Sequence, residues 1–118
     1  MRVLIVDDNE ELRGFLALSL TEAGIDAVIA ENSDDALQKI EAEKYEALLI
    51  DSVMDDADGI ELAQKIRATR NGRNVPILMM STISTALARR MAKSAGCNEF
   101  LVKPFGQQQL IEQVRSLK

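Results

Sequence analysis

Short, uniformly apolar runs alternate along this chain with longer stretches in which apolar residues recur every three or four positions. Arg2-Val3-Leu4-Ile5-Val6 and Glu46-Ala47-Leu48-Leu49-Ile50-Asp51 are too short and too continuously apolar for surface helices, and they read as strands buried on both faces. Between them Leu12, Phe15, Leu16, Leu20 and Ala23 fall at helical spacing, with Asn9 as cap, Glu10 and Glu11 in the first turn and Gly24 as the stop. Asp26-Ala27-Val28-Ile29-Ala30 is a second strand, and Ser33 is expected to cap a helix that packs Ala36, Leu37 and Ile40. Beyond Asp51, Asp58 and Glu61 form a capping-box start for a helix carrying Ile60, Ala63 and Ile66.

Asn71-Gly72 marks a turn, and Val75-Pro76-Ile77-Leu78-Met79-Met80 reads as a fourth strand with Pro76 near its beginning. It runs into a hydroxyl-rich loop, Ser81-Thr82-Ile83-Ser84-Thr85, and then a helix bearing Leu87, Ala88, Met91, Ala92 and Ala95 that Gly96 closes. Asn98-Glu99-Phe100-Leu101-Val102 is the fifth strand, followed by Lys103-Pro104-Phe105 and a helix with Leu110, Val114 and Leu117 in register. Five strand–helix units without a linker predict one α/β domain over residues 1–118, a doubly wound five-stranded parallel sheet with right-handed crossovers. Such sheets bind ligands outside the carboxyl ends of their strands, where the strand order reverses. Asp7-Asp8, Asp51, Ser81 and Lys103 all fall there.

Composition narrows the chemistry. Hydrophobic residues make up 47% of the 118 positions but aromatics only 3%, so the core is aliphatic. A net charge of −5, with no basic run, argues against nucleic-acid binding by this domain. The single cysteine, Cys97, rules out an internal disulfide and reads as a small buried hydrophobe in a reducing, cytoplasmic setting. The first apolar run is too short for a signal peptide and no stretch approaches membrane-spanning length. Histidine is absent, which removes imidazole general-base catalysis and most zinc chemistry. What remains is oxygen chemistry with a hard cation. Three carboxylates within a few Å repel by about 1–4 kcal/mol per pair, which calls for a metal, a lysine or both.

The acidic pair after the first strand, the lone Asp51 after the third, Ser81 after the fourth and Lys103-Pro104 after the fifth resemble a response-regulator receiver domain over essentially the whole chain. The resemblance implies a flavodoxin-like fold, of the type seen in CheY, with strand order 2-1-3-4-5. It implies that Asp51 accepts a phosphoryl group from a phosphohistidine on a sensor histidine kinase or histidine phosphotransfer protein. Asp7, Asp8, Asp51 and the backbone carbonyl of Val53 would hold Mg²⁺, Lys103 would pair with Asp51 and then with the phosphate, and Ser81 would donate to the phosphate. Ser81 and Phe100 would form the switch, Phe100 through packing alone because it lacks a tyrosine hydroxyl. Lys103-Pro104 would be a cis bond.

By the same resemblance the output is a changed surface around the fourth and fifth strands and their helices, with Ile83, Leu87 and Phe100 at its centre. That surface would meet a downstream protein or an output domain outside this chain, and a phosphorylation-dependent dimer would use it too. Asp55 stands where the family often has proline, and Asp55 and Asp56 read as solvated loop charges. By the resemblance, apolar Val53 and Ile83 would flank the path of the hydrolytic water, and they are expected to slow autodephosphorylation. The alternative is a Mg²⁺-dependent phosphatase of the haloacid-dehalogenase type, which needs Asp-x-Asp where this chain has Asp7-Asp8-Asn9. An FMN carrier would need a glycine- and hydroxyl-rich phosphate loop in the same place.

Overall fold

The computed structural model describes residues 1–54 and 58–117, so the expectation for Asp55 and Asp56 lies outside the described residues. Among them the chain runs β1 (Arg2–Val6), α1 (Glu10–Glu22), β2 (Asp26–Ala30), α2 (Ser33–Ala42), β3 (Ala47–Asp51), α3 (Gly59–Arg67), β4 (Ile77–Ser81), α4 (Ala86–Ser94), β5 (Glu99–Val102) and α5 (Gln107–Ser116). The strands pair in parallel, as the alternating pattern predicts, and in the order β2-β1-β3-β4-β5 that the family resemblance implies.

Side chains alternate across each strand, so the sheet carries two aliphatic cores. Leu4, Leu48, Ile50, Ile77 and Met79 face α2 and α3 through Ile40, Leu62 and Ile66. Val3, Ile5, Leu49, Leu78 and Met80 face α1 and α5 through Leu16, Leu20, Leu110 and Val114. Every residue of β3 and β4 is buried, which is why their sequences are continuous apolar runs. The fourth helix is set apart from the others: Ala92 is its only buried residue, and Leu87 and Met91 are 62% and 50% exposed rather than packed. Phe15, placed by its spacing in the apolar stripe of α1, is 37% exposed and meets Phe105 at a centroid distance of 6.4 Å.

Three local expectations are corrected. The α2 cap is Asn32, whose side chain accepts from Asp35 N at 2.8 Å, and Ser33 is the first helical residue. Strand β4 begins at Ile77, after Pro76, which has no N–H to donate; the carbonyls of Val75 and Pro76 instead accept from Arg67 and from Leu48 N. Asp58 caps α3 through Ile60 N at 2.8 Å, while Glu61 faces Lys65 along the helix at 3.4 Å instead of reaching back.

At the amino-terminal edge of the sheet, opposite the predicted site, Arg67 donates to the carbonyls of Gly72, Val75 and Gly96 and to Asn98 Oδ1. Asn98 Oδ1 also accepts from Ile77 N at 2.8 Å, so one side chain spans the first residues of β4 and β5. Gly96, at φ +105°, lies against the Arg67 side chain where any Cβ would be 2.8 Å from it. Tyr45 is buried at this same edge, its hydroxyl donating to Glu43 Oε1 at 3.1 Å and its ring 5.5 Å from the Arg2 guanidinium. Cys97 is buried nearby, and that burial pushes its thiol up to about 11.

Candidate functional site

The order of the sheet reverses between β1 and β3, and the residues that leave these strands share one crevice. Asp7 and Asp8 follow β1 directly, Asp51 is the last residue of β3, Ser81 the last of β4, and Lys103 follows β5. Parallel register sets their level: Val6 pairs with Ile50, Asp51 with Met80, and Ser81 with Val102. Lys103 N donates to Ser81 O at 2.8 Å, which carries the ladder one residue further and brings the lysine over the carboxylates.

Lys103 Nζ lies 2.8 Å from Asp51 Oδ1 and 3.7 Å from Asp7 Oδ2. Asp7 is fully buried and Asp51 is 7% exposed. One oxygen each from Asp7, Asp8 and Asp51 can be chosen so that all lie within 4.8 Å of one another. Asp7 Oδ1 accepts from Asn9 N at 2.8 Å, but its Oδ2 is buried without a hydrogen-bond partner. Burial, foremost, and the neighbouring Asp51 and Asp8 charges push the Asp7 carboxyl above its ordinary range, while Asn9 N–H and Lys103 act against them. A hard divalent cation such as Mg²⁺ fits this donor set: three carboxylates converge, and one buried oxygen lacks a partner that a metal would supply. These carboxylates sit around the Lys103 ammonium, so the crevice holds a cluster of negative charge beside one cation.

The described residues on either side of the segment after β3 are drawn together next to Asp51. Gly59 N donates to Ser52 O at 2.9 Å, and a Cβ on Gly59 would stand 2.2 Å from the Asp51 carbonyl oxygen, so only glycine fits there. Val53 bridges to Asp58 across this loop, its side chain 69% exposed. On the other side, Ser81 Oγ is buried and accepts from Ile83 N at 3.0 Å, tying the site to the segment that leads to Thr85, the cap of α4. Beneath that segment a hollow of about 180 Å³ is lined by Ser81, Met79, Ile60, Ile83, Met91 and Phe100. Phe100 is half-buried on β5, with the Arg89 guanidinium 5.0 Å from its ring centre. Lys103-Pro104 is cis.

All the residues singled out at the strand ends therefore meet at one edge. Two residues around the site were missed: Gly59, whose place as the first residue of a helix was the one available signal, and Arg89, whose contact with Phe100 is tertiary and leaves no trace in local spacing.

Residues 3–115 match the family described as the response regulator receiver domain. Among curated relatives, the response regulator MprA of Mycobacterium avium is 32% identical over 117 residues, which cover 99% of this chain and 50% of the relative. The chain thus spans about half the length of the curated relatives it matches. Among solved structures, chemotaxis protein CheY4 of Vibrio cholerae superposes with a TM-score of 0.95 at 26% identity, covering 99% of this chain and 98% of that one. The receiver domain of sensor histidine kinase PA1611 from Pseudomonas aeruginosa, which has magnesium coordinated in its active-site cleft, matches with a TM-score of 0.90 at 28% identity, covering 98% and 95%. The phosphatase alternative finds no support in these similarities. No helix among the described residues is long and apolar enough to cross a membrane.

Proposed function

The chain belongs to the response regulator receiver family of two-component signalling, and from that premise we propose that residues 1–118 form a single receiver that accepts a phosphoryl group on Asp51. The observation that carries the reading is the 2.8 Å contact between Lys103 Nζ and Asp51 Oδ1 beside two further carboxylates. The donor is a phosphohistidine on a sensor kinase or phosphotransfer protein, since this chain has no histidine of its own. An Asp51 carboxylate oxygen forms the new P–O bond, the P–N bond to the donor imidazole breaks, and its electron pair returns to the imidazole nitrogen. Lys103 balances charge before transfer on Asp51 and afterwards on a phosphate oxygen. Asp7, Asp8, Asp51 and the Val53 carbonyl would hold Mg²⁺, which supplies charge neutralisation at the transferring oxygens.

A groove of about 580 Å³ beside Lys103, lined by Leu12, Phe15, Pro104 and Phe105, supports the approach of a protein donor rather than a small molecule alone. The switch runs through Ser81. If its hydroxyl turns to donate to the phosphate, the Ser81 Oγ to Ile83 N bond is disturbed and the segment leading to α4 must readjust. Phe100 then repacks beside the hollow below it, and the α4 and β5 surface is presented to a downstream protein, an output domain or a second copy. A full shift from mostly one state to mostly the other needs about 5.5 kcal/mol of differential interaction, to which a dianion held by metal and lysine contributes.

The test is intact mass after incubation with acetyl phosphate and Mg²⁺, beside an Asp51→Ala variant and a sample with EDTA. The expected result is one added phosphoryl group, absent from both controls. An adduct that survives Asp51→Ala overturns the assignment.

A further inference from the structure

The turn that follows α3 carries Asn71-Gly72, and packing fixes the second of these residues. Gly72 is buried, and a Cβ on it would stand 2.2 Å from the Ile66 carbonyl oxygen and 2.5 Å from Thr69 Oγ1, so only glycine fits. That choice leaves Asn71 chemically vulnerable, because no side chain on the next residue shields its backbone nitrogen from the asparagine Cγ. The chain's other asparagines, Asn9, Asn32, Asn74 and Asn98, all precede residues that carry a Cβ. The Gly72 nitrogen is nevertheless held. It donates to Thr69 Oγ1 at 3.0 Å, and Thr69 Oγ1 donates in turn to the Ile66 carbonyl at 2.7 Å. With its proton committed to Ile66, the hydroxyl can only accept from Gly72. The Asn71 amide is tied as well, Nδ2 donating to Glu41 O in the last turn of α2 at 3.3 Å, and Gly72 O accepts from Arg67 at 2.9 Å.

We propose that Asn71 is a site of spontaneous self-modification to aspartate and isoaspartate, and that Thr69 is the gate that keeps it closed. When the Thr69 bond opens, the Gly72 nitrogen gives its proton to hydroxide and forms a bond to Asn71 Cγ. The Cγ–Nδ2 bond breaks, the departing nitrogen takes a proton from water, and ammonia leaves behind a cyclic imide. Water then adds to either imide carbonyl, and ring opening gives aspartate or isoaspartate at position 71. Nothing is oxidised or reduced. Both products place a carboxylate where an amide had donated to the Glu41 carbonyl, so the tie from the turn to α2 is lost. Isoaspartate also lengthens the backbone by one carbon directly before Gly72, whose carbonyl Arg67 holds. The modification therefore loosens the Arg67 fastening, at the edge of the sheet away from Asp51, and it stands apart from any phosphoryl chemistry.

The test is to age the full chain at neutral pH and body temperature beside a synthetic peptide of residues 68–75, which has the pair without the fold. Peptide mapping by mass spectrometry follows loss of the amide, an isoaspartate methyltransferase assay follows the rearranged product, and Asn74 before Val75 serves as the internal reference. Conversion at Asn71 is expected to be about tenfold slower in the chain than in the peptide, with Asn74 unchanged in both. Thr69→Val, which keeps the volume and removes the hydroxyl, should speed conversion about tenfold, while Thr69→Ser stays near the parent rate. Leu110→Ala lowers global stability without touching the turn, and it should leave the Asn71 rate near that of the parent. Equal rates in chain and peptide, or a Thr69→Val chain that ages no faster than the parent, overturns the proposal. Equal acceleration by Leu110→Ala and Thr69→Val overturns it too, because the gate would then be the whole fold.

Discussion

At the amino-terminal ends of β4 and β5, one Arg67 guanidinium donates to three carbonyls and to Asn98 Oδ1, and Asn98 in turn holds Ile77 N. At the carboxyl-terminal ends of the same strands, the side-chain connections are the Lys103–Asp51 ion pair and the Ser81 Oγ to Ile83 N bond. The first set uses neutral acceptors around a half-buried cation, and nothing in phosphoryl transfer alters their charge. The second set consists of groups whose partners, in the proposed function, change when a dianion arrives. A sheet fastened firmly at one end and by exchangeable contacts at the other is expected to confine rearrangement to the end where the proposed phosphoryl group would sit.

The largest expected effect lies at the exchangeable end. Lys103→Met removes the cation that faces the transferring oxygens and should slow phosphorylation by acetyl phosphate about a hundredfold, read as the rate of mass gain, with the fold intact by circular dichroism. Arg67→Met makes the opposite cut. It leaves buried carbonyls without a donor and should cost about 2 kcal/mol in urea unfolding while phosphorylation proceeds at the original rate. Loss of phosphorylation in a folded Arg67→Met variant would break the separation of the two ends.

A smaller effect follows from Asp7. Burial holds its folded value above the ordinary 3.8, so the folded state binds its proton more tightly than the unfolded chain does. Without metal, this group therefore makes stability fall as pH rises from about 3.8 through the folded value, and contributes no slope below that range. Asp7→Asn should flatten that decline in thermal unfolding scans, raise stability in EDTA, and abolish the gain in stability that Mg²⁺ gives the parent chain. The smallest effect concerns the rim: Val53→Asn with Ile83→Glu should shorten the phosphoryl lifetime, followed as mass loss after donor removal, without affecting unfolding. An unchanged lifetime removes these two residues from any role in excluding water.

The sheet was legible because burial on both faces leaves continuous apolar runs, and the positions of Asp7, Asp51, Ser81 and Lys103 followed from the rule for strand ends. Element boundaries were displaced where a side chain took over a backbone partner, as Asn32 does at α2 and Asn98 at the start of β4, and where Pro76 has no N–H to pair. Helical spacing at Leu87 and Met91 looked like a core stripe, yet Ala88 and Ala92 turn α4 towards the sheet and leave the larger residues outside. Gly59, Arg67 and Arg89 act across the fold at separations that no local pattern records.

Tyr45 gives the fastened end a practical meaning for optical work. The chain has no tryptophan and one tyrosine, so its native ultraviolet emission originates almost wholly from that ring. The ring sits at the beginning of β3, roughly 20 Å from Asp51 along the strand. The proposed phosphorylation is therefore expected to be dark to intrinsic fluorescence, while global unfolding should change it. A titration that shows no emission change is then compatible with the proposed switch, and a dye or tryptophan introduced near Ile83 is expected to make it visible.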